Sequence, residues 1–145
     1  GQRSVFSWVV ADRVTVRGDT AVEGALDVGG AVTVASDITQ SNGDLTVADD
    51  LTLTAQTAIT VTTNMTLTPT GTSQPLRSAG TTGTTIITAG AAGDVLILEN
   101  MVNTSIIFTD TGTLKLGGTR TLGQYDTLTL ISDGTNWIEV AFVNN

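Results

Sequence analysis

The sequence predicts an all-β protein in two parts, a short-repeat β-shaft followed by a small antiparallel β-sandwich or barrel knob. Three observations carry that prediction. Threonine fills 29 of the 145 positions and valine 15, while lysine occurs once and glutamate three times, so strand formers displace the residues that build solvent-facing helices. Apolar residues recur every second position over much of the chain, the period of a strand. Glycine, at 16 positions, interrupts that pattern at short intervals and marks turns.

Along the chain, residues 1–13 (GQRSVFSWVVADR) come before any repeat and carry Phe6, Trp8 and Val9. Their apolar stretch is too short for a secretory signal, and aromatic residues outside a core are typical interface anchors. Residues 1–13 are therefore expected to be an attachment arm. From 14 to 76 the text falls into units of about six residues, such as VTVRGD, LDVGGA, VTVASD and LTLTAQTA. Val14/Val16, Leu26/Val28, Val32/Val34, Leu45/Val47, Leu51/Leu53, Ile59/Val61 and Met65/Leu67 each put two apolar side chains on one strand face. Strands this short are not stable alone and must stack on copies of themselves. One unit fits one face of a triangular shaft, so an intertwined homotrimer is favoured over a single-chain solenoid.

The stretch PTGTSQPLRSAGTTG holds both prolines, Pro69 and Pro75, and suggests a boundary, because proline cannot donate to a ladder. Beyond it, over 77–145, six longer strands are expected: 84–90, 94–100, 104–110, 113–118, 126–132 and 136–144. Asp133-Gly134 is the strongest hairpin signal and Asp110 to Gly112 a weaker one.

Composition limits the chemistry. With no histidine and no cysteine, disulfides, thiolate sites and histidine-based catalysis are excluded. A net charge of -8 opposes a nucleic-acid partner, and no apolar run approaches the roughly 20 residues of a membrane span. No cofactor is expected. Asp44, Asp49 and Asp50 read as solvated corners, since no calcium-loop spacing surrounds them. Arg17-Gly18-Asp19 reads as a repeat corner, and the sequons at Asn64 and Asn103 as chance triplets in a threonine-rich chain. Trp137 and Glu139 alternate on one strand face and, with Tyr125, form a possible ligand face for carbohydrate, although a tryptophan in such a strand is more often core.

The run GDTAVEGALDVGGAVTVASDIT resembles the repeats of bacteriophage tail and head fibre shafts. AGDVLILEN, LKLGG and YDTLTLISDGTNWIEVA together are similar to the C-terminal β-knob of many phage fibre and decoration proteins. The resemblance implies a non-enzymatic, homotrimeric virion-surface protein that contacts a major capsid or other virion protein. It is expected to be a capsid decoration protein or short head fibre, with a receptor-binding or carbohydrate-binding tail fibre tip as the alternative.

Overall fold

The computed structural model describes residues 28–35, 38–39, 45–83 and 86–145. The chain divides into two units, Gly1–Thr46 and Val47–Asn145. In the first, the described residues form no strand and all are exposed.

The second unit is all-β, with ten strands: β1 (Ile59–Thr60), β2 (Thr66–Leu67), β3 (Ser73–Arg77), β4 (Ile86–Ile87), β5 (Val95–Asn100), β6 (Ile106–Phe108), β7 (Leu114–Lys115), β8 (Arg120–Leu122), β9 (Thr127–Ser132) and β10 (Trp137–Val143). No helix occurs among the described residues. Six strands make one sheet in the order β1-β3-β5-β9-β10-β7, curled into a half-barrel. The pairs β2-β4 and β6-β8 make two small sheets.

All six strands expected beyond residue 77 have counterparts, and β8 is an addition. The sheet is mixed and not purely antiparallel as expected. β1-β3, β3-β5 and β10-β7 are parallel, and only β5-β9 and β9-β10 are antiparallel. The Asp133-Gly134 hairpin is present. Asp133 Oδ1 accepts from the backbone N–H of Thr135 at 2.8 Å and of Asn136 at 2.6 Å, and Gly134 takes φ +94°, a conformation costly for residues with a Cβ. The weaker signal at Asp110 to Gly112 makes a turn without a hairpin: β6 pairs with β8, and β7 with β10.

The 76/77 position lies within β3, whose partners β1 and β5 fall on either side of it in sequence. Pro75 sits mid-strand because of hydrogen-bond parity. The carbonyls of Thr72 and Leu76 accept from β5 and its continuation, at Ile97 and Met101, whereas those of Ser73 and Arg77 accept from Gln56 and Val61 on the β1 side. The missing N–H of Pro75 therefore falls toward the two-residue β1 and removes no bond to β5.

The core lines the concave face. Leu76, Leu96, Leu98, Leu128, Leu130 and Trp137 project inward from the large sheet and meet Leu67, Ile87, Ile106, Phe108 and Leu122 from the small ones. Two buried amides tie loops and strands to the large sheet. Gln74 donates to the Thr57 carbonyl at 2.9 Å and accepts from Thr70, while Asn100 donates to the Thr104 and Leu122 carbonyls, both at 2.8 Å. Buried amides without such partners would be strongly destabilising.

Candidate functional site

Phe6, Trp8 and Val9, like Arg17-Gly18-Asp19 and Asp44, lie outside the described residues. Asp49 and Asp50 are exposed, and among the described residues no three acidic groups gather as a metal site would need. Asn64, at φ 58° in a turn, and Asn103 are exposed.

The three residues of the expected ligand face are not brought together as a surface. Trp137 is 4% exposed, and its indole Nε1 donates to the Thr88 carbonyl at 2.8 Å. Tyr125 is exposed but sits in the turn before β9. Thr127 pairs with Val143 at that end of the β9-β10 hairpin, whereas Trp137 pairs with Ser132 at the other. The five intervening rungs span about 17 Å. Glu139 does share the inner side with Trp137, yet its carboxylate is occupied. Arg120 grips it with two bonds, Nε to Oε2 at 2.8 Å and Nη2 to Oε1 at 2.7 Å, and the Gly117 N–H adds a third at 3.1 Å. The bond from Arg120 holds the Glu139 carboxyl below its usual range, and Glu139 in turn raises Arg120. The guanidinium also lies over the Phe142 ring, 5.2 Å from its centroid. This arrangement is a clamp joining β8 to β10, with both carboxylate oxygens bonded within the protein. Nothing in the sequence marks Arg120 as the partner, because 19 residues separate the two.

A cavity of about 390 Å³ opens between residues 69–72 and 88–91, with Thr70, Thr72, Thr88, Gly90, Asp94 and Trp137 in its wall. Among the described residues Asp94 is the one carboxylate lining it, and Asp94 Oδ2 accepts from the Ala91 N–H at 2.8 Å.

The most distinctive surfaces are apolar. Val32/Val34 are 66% and 45% exposed, Leu45/Val47 75% and 43%, and Leu51/Leu53 70% and 45%. On the six-stranded sheet the convex face carries a second set. Cross-strand register aligns Val95, Ile131 and Ile138 in one row ending at Lys115, then Ser73, Ile97, Thr129 and Ala141, then Pro75, Glu99, Thr127 and Val143. A bulge between Glu139 and Ala141 restores this alternation on β10 and leaves Val140 61% exposed.

No known protein-family model and no curated protein matches the chain.

Proposed function

We propose that the chain is a non-enzymatic structural protein that works as a homotrimer, a decoration protein or short head fibre on a bacteriophage virion, attached through residues 1–13. The observation that supports this reading most is the exposure of the alternating pairs from Val32 to Leu53. Leu45 at 75% and, in the second unit, Leu51 at 70% exposed belong to the alternating repeat, and each of these side chains stands in water in the single chain. Soluble proteins rarely expose apolar side chains over a contiguous stretch unless another surface covers them. Three copies winding together cover them without another protein.

The occupied carboxylate of Glu139 and the burial of Trp137 favour this structural role over the carbohydrate-binding alternative. The test has two parts. Native mass spectrometry or light scattering on the purified chain should give about three times 14.9 kDa, and labelling of purified particles should find the protein on the head. A folded monomer at micromolar concentration would remove the self-assembly argument, and label confined to the tail tip would favour the receptor-binding reading.

A further inference from the structure

We propose that copies of this chain bind one another through the convex face of the six-stranded sheet, centred on Val95, Ile97, Ile131 and Ile138. The proposal rests on the self-assembly reading above and locates its contact within residues 47–145. An antiparallel sheet with one face in water normally alternates apolar inward with polar outward. Here β5, β9 and β10 are apolar on both faces at the end nearest the Asp133-Gly134 turn. The outward row Val95, Ile131 and Ile138 is 42%, 38% and 40% exposed, directly behind the buried Leu96 and Leu130.

Charge distinguishes this face from the rest of the surface. The chain carries 14 acidic residues and a net charge of -8, so two copies approaching at random repel each other. Within the aligned rows Glu99 is the one acid and Lys115 the one base, with Arg77 at the end of β3, while Asp94, Asp126 and Asp133 stand at the strand ends beside them. A second copy that sets Lys115 or Arg77 against Glu99 gains an opposite-charge contact. The face has no aromatic ring to stack on a sugar and too few bases to follow a phosphate backbone, so its chemistry suits another copy of itself.

By size, this face supplies about half of a stable interface. Four strands about 4.8 Å apart and six residues long present a plan area of roughly 300–400 Å², near half of the roughly 800 Å² per partner in a stable interface.

The chain has no cysteine, which allows a direct test on the full-length protein. Single-cysteine variants Val95→Cys and Ile131→Cys on the face, and Thr119→Cys at an exposed position off it, are labelled with a maleimide dye under assembling conditions. The expected result is labelling at least tenfold slower at 95 and 131 than at 119. In parallel, Ile131→Glu combined with Ile138→Glu should lower the mass in light scattering at concentrations where the parent is assembled, with the far-ultraviolet β signal retained. If that double variant does not fold, the labelling rates decide alone. An assembled parent whose 95 and 131 thiols react as fast as 119, or a folded double variant that stays assembled, overturns this inference and leaves the self-assembly reading standing. A monomeric parent overturns both.

Discussion

Replacing Leu51 with aspartate separates a chain that works alone from one that assembles. Fully burying a leucine side chain contributes about 1.5–3 kcal/mol, so covering the 70% that Leu51 leaves open contributes about 1–2 kcal/mol per copy. Three copies in one layer make that about 3–6 kcal/mol, a weakening of association by about 10²- to 10⁴-fold at roughly 1.4 kcal/mol per tenfold. Bringing carboxylates into the same layer adds a desolvation cost of the same sign. For a chain working alone, Leu51 is a surface position, and the change should alter stability by no more than about 0.5 kcal/mol. Light scattering over a dilution series, with thermal melting of the same samples, reads both quantities. A Leu51→Asp variant with the parent's mass and midpoint would refute the reasoning.

Three further outcomes are expected. Gly90→Ala should destabilise the fold by about 1–3 kcal/mol in chemical denaturation, because a Cβ there would lie 2.6 Å from Trp137 Cζ2, on a ring already fixed by its bond to Thr88; equal stability would mean the ring can move aside. The folded-state pKa of Glu139 is depressed, so its stabilisation is present above the ordinary carboxylate range and lost as pH falls through the lowered value; the denaturation midpoint of Glu139→Gln should vary less between pH 6 and pH 3 than the parent's. Removing residues 1–12 should leave a folded trimer that no longer attaches to particles, since each buried aromatic anchor can carry about 2 kcal/mol or more and three copies add avidity; normal occupancy of the truncated protein would place the attachment elsewhere.

The strands that were legible in the sequence are those with a local signal. β9 shows a period of two, β5 and β10 are runs of strand formers bounded by turn signals, and Asp133-Gly134 fixes the turn between the last two. β8 is three residues long, RTL, too short to show any period. The parallel pairings could not be read, because nothing local marks which strand lies beside β3, and the prolines pointed to a break where bond parity in fact tolerates Pro75. The ligand face failed for a similar reason. Alternation correctly put Trp137 and Glu139 on one side, but it does not say that the side is the inner one, or that Arg120 comes from a distant strand to neutralise the acid. The repeat before Leu53 predicted short stacked strands, whereas its described residues form none and leave their apolar side chains exposed.

The position of β9 bears on how the chain is made. It joins β5 to β10 at the middle of the large sheet, yet it is the ninth of the ten strands among the described residues. During synthesis, β1, β3 and β5 leave the ribosome with no central strand to dock on, and the exposed repeats are already in water. The sheet cannot close until Thr127 and the residues after it have emerged, and its pairings span long loops, which slows folding. A ribosome that stops before that point releases a chain whose apolar surfaces have nothing to cover them, so synthesis must pass β9 and β10 before this sheet is safe from aggregation.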